Sequence, residues 1–312
     1  MFIDLFCFLI FGLKYIYNDK CSLIFFQFFI LKKKLILIIM IIYFPHKLGQ
    51  LKNGVQHTPI YFKKLISNRY LDVNCNNSLT NKDYNLKNNL HNLYLMNNKI
   101  TSPKINIGGD HSMSIATVAS SLNLYKDNLK VLWFDAHPDI NTYESSLTKS
   151  YHGMPLSYLT GLGKNDFEFI KNKLNLNNLM YVGIRDIDNY EKEIIKKYDI
   201  KYLSVKQINN NLNESIEIIN NFVGNKPIHL SFDVDCMDPK IINCTGTKSK
   251  YGLNLNTKVI LDNLSKKNLC NMDITEINFD LGNNKDKMKT INNLSKLFEN
   301  YLDFNKNKKI YI

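Results

Sequence analysis

The feature that most constrains the fold is a repeated alternation of short, β-rich apolar runs with longer segments of helical periodicity, beginning at Leu35. Strands are expected near 35–44, 70–73, 104–108, 130–135, 179–184, 200–203, 227–233 and 270–276. These runs are apolar without strict alternation, which suits strands covered on both faces and therefore a parallel sheet. Helical signals lie between them. Thr58 reads as a cap before Pro59 at the first helical position, and Tyr190, Ile194 and Tyr198 fall at i, i+4, i+8. Further helices are expected over 112–123, 205–223, 256–268 and 287–303. Eight strands with interleaved helices imply an α/β domain over residues 35–312, a three-layer αβα stack around a mostly parallel eight-stranded sheet, with no linker and no internal repeat.

Residues 1–34 differ in character and form a hydrophobic N-terminal extension. Apolar runs at 2–13 and 23–31 are broken by Asp4, Lys14, Asp19 and Lys20 and closed by Lys32, Lys33 and Lys34. No uninterrupted stretch reaches the roughly 18–20 apolar residues that span a bilayer, and no small-residue cleavage site follows a basic start. Three readings stay open: a membrane anchor, a poorly ordered extension, and a true start at Met40. Membrane association is expected only if the extension is real and inserted.

Composition excludes one class of partner. Lys plus Arg number 40 against 28 Asp plus Glu, giving a formal charge of +12, yet only Arg69 and Arg185 are arginines. Nucleic-acid readers rely on the planar guanidinium fork, so the excess reads as a solvated lysine surface and no nucleic-acid partner is expected. The six cysteines, at 7, 21, 75, 236, 244 and 270, show neither a Cys-x-x-Cys pair nor zinc-knuckle spacing. A reducing compartment, the cytoplasm, is favoured.

The chemistry is expected at the strand ends, because in an open parallel sheet the ligand crevice lies beyond the carboxyl ends of the strands. The third strand leads into Gly108-Gly109-Asp110-His111 and the fourth into Asp135-Ala136-His137-Pro138-Asp139-Ile140-Asn141. The fifth leads into Arg185-Asp186-Ile187-Asp188, the seventh into Asp233-Val234-Asp235, and the last ends at Glu276. In extended chain, residues two apart project to one side, so Asp135, His137 and Asp139 can converge, as can Asp233 and Asp235. A lone Asp-x-Asp is usually a turn or a cap. Taken with His111, however, the runs supply four carboxylates and two imidazoles, more than one divalent ion normally takes from protein, and four clustered anions without cations would be costly. Two metal ions are implied. Carboxylate-rich ligation without thiolate favours manganese, with iron, cobalt or nickel behind it and zinc less suited. Two such ions about 3.5–4 Å apart would share a water and bring its pKa towards neutrality, which makes the reaction class metal-assisted hydrolysis.

The motifs Gly108-Gly109-Asp110-His111-Ser112, Asp135-Ala136-His137-Pro138-Asp139-Ile140-Asn141 and residues 231–239 (SFDVDCMDP) resemble, in the same order, those of the ureohydrolase family. These are binuclear manganese enzymes that include arginase, agmatinase and formimidoylglutamase. The resemblance covers roughly residues 36–280. It implies that His111, Asp135, Asp139 and Asp233 hold one manganese ion and Asp135, His137, Asp233 and Asp235 the other, with Asp135 and Asp233 bridging. It further implies that His152 shuttles a proton, that Asp139 meets charge in the reaction, and that Glu276, with Thr247 beside it, grips the guanidinium group.

Within the family the chain looks most like arginase. Asn141, Ser146, Thr148 and Ser150 would hold the α-carboxylate of L-arginine and Asp188 its α-ammonium, contacts that agmatine, lacking a carboxylate, could not use. The implied reaction is hydrolysis of L-arginine to L-ornithine and urea by a metal-bridging hydroxide, in a homo-oligomer, trimer or hexamer. Some residues depart from the family pattern. Thr148-Lys149-Ser150 stands where arginases usually carry Ser-Gly-Asn, Cys236 stands where Gly or Ala is common, and the stretch from Cys244 to Lys248 lacks a proline. These are expected to border the pocket. Agmatinase, formimidoylglutamase or a catalytically silent homologue acting as a binding subunit are the alternatives.

Overall fold

The computed structural model describes residues 39–305. The extension at 1–34 and the start of the first expected strand lie outside the described residues. Among those described, no helix is long and apolar enough to cross a membrane.

Eight strands form one sheet: β1 (Met40–Phe44), β2 (Tyr70–Asp72), β3 (Lys104–Gly108), β4 (Lys130–Phe134), β5 (Leu179–Val182), β6 (Lys201–Leu203), β7 (Ile228–Asp233) and β8 (Leu269–Thr275). They run in the order β2-β1-β3-β8-β7-β4-β5-β6, and every pairing is parallel. The helices of the described residues are α1 (Thr58–Leu65), α2 (Lys82–Lys99), α3 (Ser114–Tyr125), α4 (Pro155–Thr160), α5 (Asn189–Lys197), α6 (Val205–Asn210), α7 (Leu212–Val223), α8 (Thr257–Leu264) and α9 (Asn284–Leu297).

Strand parity shows why the sheet is covered on both faces. Ile41 and Tyr43 of β1, Leu132 and Phe134 of β4, and Met180 and Val182 of β5 share one apolar cluster with Phe62 of α1, Ile219 of α7, Leu261 of α8 and Leu294 of α9. Their neighbours Ile42, Phe44, Val131, Trp133, Leu179 and Tyr181 join a second cluster with Leu90 of α2, Val118 of α3, Leu159 of α4 and Ile194 of α5. Successive residues thus enter opposite cores, and each strand reads as continuously apolar because both sides are buried.

Several boundaries differ from the sequence reading. The expected helix over 205–223 is two helices, broken at Asn211, whose side chain accepts from Glu214 N and so starts α7 afresh. The last helix begins earlier than expected, because Asn283 and Asp286 form a reciprocal capping box. Thr58 is not a cap: it is the first helical residue of α1, and its hydroxyl donates to the carbonyl of Ile277. The sequence reading lacked α2 altogether, an Asn-rich helix whose Leu86, Leu90 and Leu93 are its buried apolar stripe.

Candidate metal centre

Of the four middle strands of the sheet, β3, β7 and β4 deliver the expected ligands and β8 delivers Glu276. At the end of β3, Gly108 adopts φ +144 and a Cβ there would lie 2.4 Å from the carbonyl of Phe44, so only glycine lets β3 run this close to β1. Asp110 then caps the short 3-10 turn at His111–Met113 and accepts from Gly49 N at 2.8 Å, tying the loop after β1 to the site.

The side chains converge through turns, where the sequence reading expected extended chain. β4 ends at Phe134, one residue before Asp135, and the next residues bend. Asp139 takes φ +51, a left-handed conformation uncommon outside glycine. Asp233 is the cap of a 3-10 turn over Val234–Cys236, and its Oδ1 accepts from Asp235 N at 2.8 Å. Glu276 leaves β8 at φ +62. Two of the chemically expected carboxylates therefore sit on strained backbone, as functional groups often do.

Two groups of possible ligands result, His111 with Asp135 and Asp233, and Asp135 with His137 and Asp235. His111 Nδ1 lies 3.0 Å from Asp135 Oδ2, 2.9 Å from Asp139 Oδ2 and 3.4 Å from Asp233 Oδ2. His137 Nδ1 lies 3.1 Å from Asp235 Oδ2 and 3.4 Å from Asp135 Oδ1. Asp135 belongs to both groups, whereas Asp233 is grouped only with the first.

These residues fit divalent ions. His111 Nδ1 is buried without a hydrogen-bond partner while aimed at three carboxylates. Ligand atoms about 2.1 Å from an ion on adjacent octahedral vertices are about 3 Å apart, the spacing found here. The donors are carboxylate oxygen and imidazole nitrogen, with no thiolate among them, as a hard to borderline ion requires. Residues to which the sequence reading assigns no role hold these side chains in place. Trp133 stacks on His111 with centroids 4.3 Å apart, and its Nε1 donates to Asp135 Oδ2 at 3.0 Å. His111 Nε2 lies 2.8 Å from Ser231 Oγ. Arg185 gives hydrogen bonds to five backbone carbonyls, those of Gly183, Asp235, Cys236, Ser249 and Lys250, and so pins the loop after β7 to the end of β5. Trp133, the chain's one tryptophan, and Arg185, one of two arginines, were visible by their rarity.

Electrostatics show how ill at ease the cluster is without cations. Burial and the neighbouring Asp135 charge push Asp139 up to about 7, and burial with Asp235 and Asp135 raises Asp233 well above the usual range. Burial alone would lower His111, but contacts with Asp135, Asp139 and Asp233 raise it well above a free imidazole. Glu191 reaches about 8, mainly through burial and partly through the charge of Asp139.

These groups hold protons in the folded chain that the unfolded chain has released, so stability falls as pH rises between the unfolded and folded pKa values. For Glu191 that window runs from 4.5 to about 8 and for Asp139 from 3.8 to about 7. Protein stripped with a chelator should therefore unfold at lower urea concentration at pH 8 than at pH 5.5, and added Mn²⁺, by holding Asp139 ionised, should shrink the difference. A flat profile in the stripped protein would refute this.

Of the remaining expected residues, Glu276 adjoins the cluster and joins His152 to it. Glu276 is 3% exposed. Its Oε1 accepts from His111 N at 2.9 Å and lies 3.2 Å from His152 Nδ1, and its Oε2 accepts from Gln50 Nε2 at 2.7 Å. Gln50 also escaped the sequence reading, since 226 residues separate it from Glu276. Asn141 Nδ2 donates to Asp188 Oδ2 at 2.9 Å, so two residues expected at opposite groups of a substrate touch each other. Asp188 opens α5, and its N donates to Glu191 Oε2. Ser146 and Ser150 are buried in the loop after β4, Thr148 is exposed there, and Thr247 is exposed in the loop between β7 and α8. Ser146 Oγ accepts from Lys149 N and Thr148 Oγ1 from Ser150 N, contacts that shape the loop itself. Cys236 and Cys244 are fully buried and belong to an apolar core cluster, with Cys236 directly following Asp235.

Fold and site together define an all-parallel α/β protein with a carboxylate–imidazole cluster, a candidate metal centre, at the carboxyl ends of its middle strands. The comparisons give that class its family. A family model described as the arginase family matches residues 45–300, and the chain belongs to that family. It is 42% identical over 163 residues to an arginase of Neurospora crassa, an alignment covering 48% of this chain and 46% of that protein. It is 34% identical to an arginase of Entamoeba histolytica over 75% of this chain and 88% of the relative. The crystal structure of the Entamoeba histolytica arginase in complex with L-ornithine superposes with a TM-score of 0.76 at 30% identity, covering 83% of this chain and 98% of that one. In its alignments with the Neurospora crassa arginase and a Plasmodium berghei arginase, the chain spans about half the length of these curated relatives, 46% and 52%.

Proposed function

We propose that the chain is an arginase-like hydrolase that cleaves the guanidinium C–N bond of L-arginine to give L-ornithine and urea, using two manganese ions. The observation that carries this reading is the convergence of two imidazoles and four buried carboxylates next to Glu276 and His152. His111, Asp135, Asp139 and Asp233 would hold one ion and His137, Asp235 and Asp135 the other, with Asp233 as a second bridge. Bound there, the ions supply Lewis acidity and a water acidified towards neutral pH.

The protein's own groups supply aim and proton transfer. Glu276 stays ionised, because the contact with His152 and the donors His111 N and Gln50 outweigh its burial and lower its pKa. A carboxylate held in this way can receive a planar guanidinium by paired hydrogen bonds. Contact with Glu276 raises His152 despite its burial. With Nδ1 turned to Glu276, the ring offers Nε2 to carry a proton to the leaving nitrogen. Asp139 accepts a hydrogen bond from the reacting centre as the guanidinium carbon becomes tetrahedral. Asn141, Ser146, Thr148 and Ser150 bind the α-carboxylate and Asp188 the α-ammonium, while Thr247 flanks the guanidinium. The relative crystallised with L-ornithine supports an amino-acid substrate. A homo-oligomer, trimer or hexamer, in the cytoplasm completes the proposal.

Urea release from L-arginine and from agmatine, measured side by side on Mn²⁺-loaded protein, tests it. A site that hydrogen-bonds a substrate group discriminates strongly against an analogue lacking it, so kcat/KM for L-arginine should exceed that for agmatine by about 10² or more. Equal or faster turnover of agmatine would shift the assignment to agmatinase. Failure to release urea from any guanidino compound would leave a silent homologue.

A further inference from the structure

Behind the metal centre, the face of the sheet under α3 is polar where the rest of the core is apolar. Asp273 of β8 is fully buried, three residues before Glu276, and touches none of the expected ligands. Its Oδ2 accepts from Ser114 Oγ at 2.8 Å and Thr117 Oγ1 at 2.6 Å, both on α3, and lies 3.1 Å from His229 Nε2 on β7. Asn106 Nδ2 donates to its Oδ1 at 2.8 Å. His229 and the two hydroxyls more than offset burial and keep Asp273 below its ordinary pKa, hence ionised.

The hydrogen bonds leading from this anion towards the site have only one consistent direction. A carboxylate accepts only, and a hydroxyl carries a single proton. Ser114 therefore gives its proton to Asp273 and must accept from Ser231 Oγ, 3.0 Å away. Ser231, its proton committed to Ser114, must accept from His111 Nε2 at 2.8 Å. Nε2 then carries the proton, and Nδ1, the atom facing Asp135, Asp139 and Asp233, presents its lone pair.

We propose that Asp273 is a positioning residue for the metal centre, fixing the tautomer and ring orientation of His111 through a one-way relay over Ser114 and Ser231. The inference rests on the metal-centre reading above and deepens it. Outer partners of metal-binding histidines commonly change metal affinity by 10- to 100-fold when removed.

The test compares two hydroxyls that both bond Asp273, only one of which lies on the relay. Ser114→Ala breaks the relay while leaving Asp273 its other three donors; Thr117→Val removes a donor and leaves the relay whole. Mn²⁺ affinity would be measured by competition with a metallochromic chelator, and thermal unfolding would be followed on the metal-free proteins. Ser114→Ala should weaken Mn²⁺ binding about 10- to 100-fold, whereas Thr117→Val should lower the metal-free Tm with Mn²⁺ affinity unchanged. Asp273→Leu should match Ser114→Ala, and the double variant should lose no more than either single; if Asp273→Leu does not fold, Ser114→Ala decides. Unchanged affinity in Ser114→Ala, or an equal loss in Thr117→Val, would overturn the relay and leave Asp273 a packing residue. Wild-type protein that binds no Mn²⁺ would overturn the metal-centre reading beneath it.

Discussion

Replacing Asp135 with alanine should abolish urea release and leave the protein without bound manganese. Asp135 alone belongs to both ligand groups: Oδ2 faces His111 Nδ1 at 3.0 Å and Oδ1 faces His137 Nδ1 at 3.4 Å. Its loss removes one oxygen from each ion's shell together with the charge that draws both imidazoles in. The same carboxylate accepts from Trp133 Nε1 and His137 N, so the variant also frees the groups that orient it. Metal analysis and a urea assay check the outcome, and circular dichroism separates lost metal from lost fold. Full activity in Asp135→Ala would make the whole scheme wrong.

His152→Ala should reduce kcat/KM by about 10² to 10⁴, the usual loss when a general acid–base group is removed, and should leave metal content unchanged. The expected split follows from position. His152 Nδ1 contacts Glu276 Oε1 at 3.2 Å and lies in neither ligand group, so its absence costs proton transfer without opening the metal shell. Its ring is a quarter exposed, so the substitution leaves no closed cavity in the core. A loss below about tenfold would make His152 a polar residue that packs under the loop after β4.

Much of this site was legible because the chain places its chemistry at strand ends, where short motifs survive as contiguous text. The runs after β3, β4 and β7 could be read as ligand clusters, and a mostly parallel sheet followed from apolar runs that lacked alternation. What stayed hidden was carried by long-range or directional contacts. Gln50 reaches Glu276 across 226 positions and Ser231 reaches His111 across 120, and neither residue type stands out. The bends that turn Asp139 and Asp235 inward come from a left-handed residue and a 3-10 turn, which alternation arguments do not foresee. Helix α2 was hidden by its asparagines, weak helix formers that are satisfied here by tertiary partners: Asn97 Nδ2 donates to Asn106 Oδ1, and Asn89 Nδ2 lies 3.1 Å from His46 Nδ1. Asn106, His229, Asn271 and Asp273 lie inside runs read simply as buried strand, and only the structure shows that with Ser231 they form one polar layer behind the candidate metal centre.

On the proposed function, the arrangement would let a lysine-rich protein serve a cationic substrate. The strand ends gather carboxylates at one buried place whose neutrality would depend on bound cations. Glu276 stands at the edge of that place with its charge preserved by its hydrogen bonds, the feature a guanidinium needs.

The most direct test is an anomalous-scattering map at the manganese edge from crystals of the wild-type protein grown with Mn²⁺. Two peaks are expected about 3.5–4 Å apart, one against His111, Asp135, Asp139 and Asp233 and the other against His137, Asp235 and Asp135, and neither in Asp135→Ala. A map without peaks at those side chains, or with manganese bound elsewhere on the molecule, would contradict the account.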